Sequence, residues 1–121
     1  MTTSDAIADP RLPGAISDSL ALVWREHTGR KPPGSRTYIR EDLVVCVLRG
    51  GMSPYEKQLI SQEEDPVVWT MREHMQAAVE HDEVAEVERL TGRRVTSFLS
   101  DHDTKSDVAA ELFLLEPLSA S

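Results

Sequence analysis

Apolar residues recur along the chain with two different periods, and the first period predicts helices. Between residues 15 and 28 they return every three or four positions, at Ile16, Leu20 and Trp24 among others. This spacing is typical of a helix with one apolar face. Gly29 follows as a candidate C-cap, because glycine adopts the left-handed conformation that ends many helices. We therefore predict a first helix over residues 15–28.

The second period is that of β-strands. Thr37–Ile39 and Leu43–Leu48 are rich in β-branched and aromatic residues and predict one hairpin. Val95–Leu99 and Val108–Leu115 predict a second hairpin, closed by the polar segment 101–107. The chain should therefore contain two hairpins, one in each half.

Helix-start signals lie between the two hairpins. Ser53-Pro54-Tyr55-Glu56 combines an N-cap serine, a proline in the first turn and a glutamate that can bond back to the cap. It predicts a short helix that ends near Gln62. Asp65-Pro66 repeats the proline start and precedes a helical apolar pattern that ends at Gly92. A second, much longer helix should fill this interval.

One tripeptide occurs at the end of both long helices. Thr28-Gly29-Arg30 and Thr91-Gly92-Arg93 are 63 residues apart, and each follows a helix and precedes a hairpin. Two unrelated glycine caps would also give this pattern, but its context favours a repeated αββ unit. The predicted class is α+β, with element order α-β-β-α-α-β-β. If the units are related by a pseudo-twofold axis, they form a four-stranded antiparallel sheet of order 1-2-4-3 with the helices on one face.

The length of 121 residues suits a single domain. We predict that residues 15–117 form it, and that residues 1–14 and 118–121 are flexible. The segment Leu43–Leu48 is apolar at both odd and even positions, which is typical of a central strand. Because helices would cover only one face of the sheet, we expect the other face to be buried between two copies in a homodimer.

Charge and composition exclude several classes of function. The chain has 13 Lys and Arg against 21 Asp and Glu, a net charge of −8, which argues against general nucleic-acid binding. No apolar run approaches the length of about 20 residues that spans a bilayer, so direct membrane insertion is not expected. The single cysteine and the absence of a secretory signal at the N-terminus predict a cytoplasmic protein.

The sequence contains no motif of a known catalytic site. Cys46 lies within a valine-rich strand, where burial would block its access to a substrate. His74 and His81 are seven residues apart rather than four, and the segment Asp101-His102-Asp103 lacks the spacing of a calcium loop. We therefore predict no metal, no cofactor and no enzymatic activity.

A basic segment is the candidate binding site. Five cations lie between residues 25 and 40 against a single carboxylate, Glu26, and the second Thr-Gly-Arg turn adds two more. Such cations could hold a small anion or an acidic surface of a partner. They could equally form a solvated loop that balances the acidic helices. The candidate residues are Arg30, Lys31, Arg36, Arg40, Arg93 and Arg94.

Two stretches of the chain together resemble the MpsC family. The first consists of Ile16-Ser17-Asp18, Thr28-Gly29-Arg30, Arg36-Thr37-Tyr38-Ile39, Asp42-Leu43-Val44-Val45, Leu48, Gly50 and Glu56. The second runs from Glu88 through Thr91-Gly92-Arg93, Phe98-Leu99-Ser100-Asp101 and Glu111-Leu112-Phe113 to Glu116-Pro117. The similarity covers residues 15–117 and includes no catalytic signature.

That family is named for a sodium-translocating, membrane-potential-generating system. The resemblance implies an accessory or regulatory role beside a membrane transport protein that handles ions or bicarbonate. It supplies no catalytic residues to carry over. A small-anion-binding sensor that uses the basic turns is the alternative.

Overall fold

The computed structural model describes residues 9–61 and 65–118. Their elements follow the predicted α-β-β-α-α-β-β order. The helices are α1 (Leu12–Thr28), α2 (Pro54–Ser61) and α3 (Asp65–Thr91), and the strands are β1 (Gly34–Arg40), β2 (Leu43–Arg49), β3 (Val95–Asp103) and β4 (Val108–Leu115). The α+β class is confirmed.

Helix α1 begins three residues earlier than predicted. The backbone N–H of Leu12 donates to the carbonyl of Asp9 at 3.1 Å, and Pro13 lies in the first turn, where its missing N–H costs nothing. Leu12 is 6% exposed and belongs to the core, which offsets the poor helix propensity of Gly14. The rest of the predicted N-terminal tail, residues 1–8, lies outside the described residues, as do residues 119–121.

The strands are longer than predicted. Strand β1 begins at Gly34, and β3 continues to Asp103, through part of the segment predicted as a loop. Two non-glycine residues with positive φ close the hairpins, Glu41 (54°) and Asp107 (55°). The turn geometry is thus accommodated without glycine.

The short helix α2 begins with the predicted capping box. The N–H of Ser53 donates to Glu56 Oε1 at 2.9 Å, and the N–H of Glu56 donates to Ser53 Oγ at 3.1 Å. The two side chains thereby satisfy two backbone donors that helix geometry leaves without partners. The helix ends at Ser61; the predicted end, Gln62, lies outside the described residues.

The sheet is antiparallel with strand order β1-β2-β4-β3, as predicted. Thr37 pairs with Cys46 in the first hairpin, Ser100 pairs with Glu111 in the second, and Cys46 pairs with Glu111 where the hairpins meet. Rotation by half a turn about the Cys46/Glu111 pair therefore exchanges the two hairpins. The repeat recognised in the sequence corresponds to a pseudo-twofold axis through the centre of the sheet.

Helices α1 and α3 pack against each other and against one face of the sheet. Alternate strand residues point into this layer, so the core combines one face of each helix with one face of the sheet. Its buried members are Leu12, Ile16, Leu20, Trp24, Val44, Cys46, Leu48, Val87, Ala109, Phe113 and Leu115. We call the opposite side of the sheet the open face; none of the described helices covers it.

Both Thr-Gly-Arg turns have the same local structure. Gly29 (φ 78°) and Gly92 (φ 69°) are left-handed, and each donates its N–H to a carbonyl four residues earlier. The threonine hydroxyl donates to the carbonyl of Trp24 in the first turn and of Val87 in the second, each at 2.7 Å. The repeated sequence thus specifies a repeated helix cap.

Candidate functional site

The six candidate cations do not converge on one point. Arg30 and Lys31 are exposed in the loop after α1, and Arg36 and Arg40 are exposed on the open face of β1. Strands β1 and β3 run in opposite directions, so the turns that precede them lie at opposite ends of the sheet. Any binding at the two basic turns would therefore occur at separate places.

Arg93 differs from the other five because its side chain is only 3% exposed. Its Nη1 donates to the carbonyl of Glu41 at 3.2 Å. Its Nη2 donates to Asp42 Oδ1 at 2.5 Å and to the carbonyl of Glu116 at 2.6 Å. The guanidinium therefore joins the β1–β2 turn to the segment after β4. Arg94, the next residue, is exposed.

The equivalent corner, at the other end of the sheet, has a different construction. Asp107 takes the place of Asp42, since the N–H of Gly50 donates to the Asp107 carbonyl and the N–H of Leu115 to the Asp42 carbonyl. The Asp107 carboxylate accepts from the N–H of Met52 and lies 3.2 Å from His102 Nε2. Arg30, the counterpart of Arg93, remains in solvent.

A row of polar side chains crosses the buried face of the sheet, and the sequence interpretation missed it. Thr37, Cys46, Glu111 and Ser100 are consecutive partners across the four strands. Glu111 is fully buried, although it is not among the candidate site residues. The signal was present, because Glu111 alternates with Ala109 and Phe113, which both face the core.

The helices supply partners for this row. Trp24 Nε1 donates to Glu111 Oε1 at 2.7 Å, and the hydroxyls of Ser17 and Thr37 are 2.7 Å apart. Glu83 from α3 is also fully buried. Because buried polar groups are costly unless bonded, the two α1 contacts fix how that helix sits on the sheet.

Cys46 lies in the middle of this row. Burial raises the pKa of its thiol to about 12, and the nearby Glu111 and Glu83 carboxyls act in the same direction, while a hydrogen bond with Thr37 acts against them. The thiol is therefore protonated at neutral pH and shielded from solvent. This environment is that of a packing residue and not of a nucleophile.

The open face has an apolar centre between charged edges. Val45 and Val47 of β2 lie beside Leu112 and Ala110 of β4. The outer strands contribute exposed Tyr38 (53%) and Leu99 (57%). The charged side chains follow the rim: Arg36, Arg40 and Arg49 on the β1 side, and Asp101 and Asp103 on the β3 side.

None of the helices in the described residues is long and apolar enough to cross a membrane. Nowhere in the described part of the chain do three or more His, Cys, Asp or Glu side chains cluster so that they could hold a metal ion.

Comparison with known proteins identifies a family. Residues 11–117 match the model of a family described as "Na+-translocating membrane potential-generating system (MpsC)". The match covers nearly the whole chain and both αββ units. No curated protein and no solved structure matches the chain.

Proposed function

The chain belongs to the MpsC family, and from that premise we propose that it is a non-enzymatic accessory or regulatory component of a Na+-translocating, membrane-potential-generating system. It acts by contact with a membrane transport protein and not by chemistry of its own. The family match over residues 11–117 is the observation that carries this proposal. The buried position of Cys46, Glu83 and Glu111 supports it, because burial shields these ionisable groups from solvent.

We further propose that the exposed cations contact the partner. Arg30 and Lys31 lie side by side in the loop after α1, and Arg94 lies in the equivalent turn. Arg36 and Arg40 belong to the open face, and Arg93 is bonded within the fold. Exposed cations of this kind suit an acidic surface, where they mainly determine the rate and specificity of association.

Membrane potential in intact cells is the direct test. Cells that lack this protein should show a lower potential with a voltage-sensitive dye, and the deficit should depend on external Na+. The wild-type chain should restore the potential. The double variant Arg30→Glu/Lys31→Glu should restore it less, whereas Lys57→Glu, an exposed control on α2, should restore it fully.

A copurification experiment tests the contact itself. The tagged protein should recover an integral membrane transporter from native membranes, and the Arg30→Glu/Lys31→Glu variant should recover less of it. An unchanged membrane potential in the deletion strain, together with recovery of soluble metabolic enzymes only, would reject the proposal.

A small-anion sensor is the second candidate. Among the described residues, no carboxylate forms an ion pair with Arg30 or Lys31, so both cations are available to a ligand. Bicarbonate, a carboxylate or phosphate at millimolar concentration should then raise the melting temperature. The Arg30→Glu/Lys31→Glu variant should lose this stabilisation, and the absence of any shift in the wild-type protein would reject the sensor role.

A further inference from the structure

The open face of the sheet carries exposed apolar side chains that are not part of the core. Tyr38 and Leu99 are more than half exposed, and Leu114 is 38% exposed. These residues surround the partly buried side chains of Val45, Val47 and Leu112. Contiguous apolar surface of this kind marks interaction sites on soluble domains.

The charges of this face differ from those of the rest of the chain. Three arginines (Arg36, Arg40 and Arg49) and two aspartates (Asp101 and Asp103) point to this side by strand alternation. They nearly cancel, whereas the chain as a whole carries −8. A nearly neutral apolar face on an acidic protein favours a neutral, apolar partner, and an identical face is one.

The arrangement of the charges is also self-complementary. The ladder that crosses the four strands at Arg36 continues through Val47 and Ala110 to Asp101, so a cation and a carboxylate end the same row. The row at Tyr38 ends at Leu99 and is apolar throughout. Rotation about an axis parallel to the strands would place the β1 edge of one copy over the β3 edge of the other.

We propose that the open face binds a second copy of this chain through such an axis, with Arg36 of each copy opposite Asp101 of the other. Val45 then faces Leu112, and Tyr38 faces Leu99, in a β-sandwich with the two sheets aligned. The interface is isologous, as expected for a twofold dimer. This inference is independent of the proposed function.

Charge selects this orientation over its main competitor. A twofold axis perpendicular to the strands would also bring the two faces together, but it would place β1 over β1 and β3 over β3. The β1 arginines of both copies would then share one edge of the interface and the β3 aspartates the other, and like charges at an interface oppose association. The pseudo-twofold axis within each sheet makes the two orientations similar in shape, so the edge charges distinguish them.

The size of the face is compatible with a dimer of moderate affinity. Four strands about 4.8 Å apart and seven residues long at about 3.4 Å each give a projected area of roughly 400 Å² per copy. Accessible area exceeds projected area because side chains make the surface uneven. The total for two copies is therefore near the lower limit of about 1,000 Å² for specific interfaces.

The first experiment measures mass by sedimentation equilibrium over a range of concentrations. The wild-type protein should form a species of twice the chain mass of 13.5 kDa. Leu112→Asp should make it monomeric, whereas Leu22→Asp, at a 47% exposed leucine on α1, should not. Circular dichroism confirms that each variant is folded, and Val45→Asp replaces Leu112→Asp if that variant is not. A monomer at all wild-type concentrations, or a dimer unaffected by a folded central variant, would overturn the proposal.

Charge reversal then tests the orientation. Arg36→Asp alone and Asp101→Arg alone should each raise the dimer dissociation constant about tenfold, since each variant places two like-charged pairs in the interface. The double variant Arg36→Asp/Asp101→Arg should restore affinity to within about threefold of wild type. If Arg36→Asp tightens the dimer, or if the double variant is as weak as the singles, this orientation is wrong.

Discussion

Arg30 and Arg93 end the same tripeptide, follow the same helix cap and precede equivalent strands, yet they have different environments. Arg93 is buried and bonded to Asp42 and two carbonyls, whereas Arg30 is in solvent. The helix cap depends only on neighbouring residues, so it is the same in both units. The environment of the arginine depends on the hairpin turn at its end of the sheet, and the two hairpin turns differ.

The opposite corners explain the difference. The Asp42 carboxylate is available to Arg93, because the hydrogen bond from the N–H of Leu115 in β4 goes to the backbone carbonyl of Asp42. The Asp107 carboxylate, its counterpart, already accepts from the N–H of Met52 and lies beside His102. The repeated fold therefore buries one arginine among hydrogen-bond acceptors and leaves the other in solvent.

Replacement of the two arginines should give the largest contrast. Arg93→Ala removes three hydrogen bonds from a buried position and should lower the free energy of unfolding by about 3 kcal/mol. Arg30→Ala should change it by less than about 0.5 kcal/mol, because the residue is exposed. Urea unfolding of both variants measures the difference, and equal losses would show that the corners are energetically alike.

Local patterns sufficed to predict much of this architecture. The two caps, the capping box at Ser53 and the strand order follow from neighbouring residues and from the repeat. The burial of Arg93 could not be predicted in this way, because its partner Asp42 is 51 residues away in the sequence. The sequence pattern alone assigns Pro13 and Gly14 to the tail, but proline is favoured in a first turn, and α1 begins at Leu12.

The buried polar row shows a different limit. The alternation of buried and exposed residues in β4 places Glu111 at a core position. Glutamate is seldom fully buried, however, so from its residue type alone Glu111 is assigned to the surface. Its donor, Trp24, is 87 residues away and on another element. Only the packing of α1 on the sheet reveals that the two side chains meet.

The indole of Trp24 has no counterpart in the second unit, where Val87 occupies the equivalent position in its helix. Trp24→Phe removes the donor to Glu111 Oε1 and should lower the free energy of unfolding by about 2 kcal/mol. Part of this loss is packing, so the comparison is repeated in a Glu111→Leu background. A double-mutant cycle from urea unfolding should give a coupling of about 1 kcal/mol or more. Strict additivity would mean that the bond stabilises nothing.

Cys46 and Glu111 occupy equivalent positions under the pseudo-twofold axis. The buried thiol of Cys46 should make the stability of the fold sensitive to alkaline pH. The folded-state pKa of the thiol is about 12, against 9.0 for an ordinary cysteine. Between these two pKa values the folded protein therefore binds more protons than the unfolded protein. The stability contributed by the neutral thiol is complete below pH 9 and is lost as the pH rises towards 12. The slope should approach 1.4 kcal/mol per pH unit, about the value for one proton.

The measurement compares wild type with Cys46→Ala from pH 8 to pH 10.5. All other side chains are common to both proteins, so their contributions cancel in the difference. The difference in the free energy of unfolding should be constant up to about pH 9 and should then change in the variant's favour. A difference independent of pH would show that the thiol is not held in its neutral form by the fold.

The two glycines should give the smallest effect and no contrast. Gly29 and Gly92 both have positive φ, a conformation that costs an L-residue about 1 kcal/mol. A Cβ added at Gly29 meets nothing within 4 Å, so the cost there is that of the backbone alone. Gly29→Ala and Gly92→Ala should therefore each lower the free energy of unfolding by about 1 kcal/mol, in urea unfolding followed by circular dichroism. Unequal losses would mean that the buried Arg93 contacts stabilise or strain the second cap, and that the units differ in their backbone as well as in their arginines.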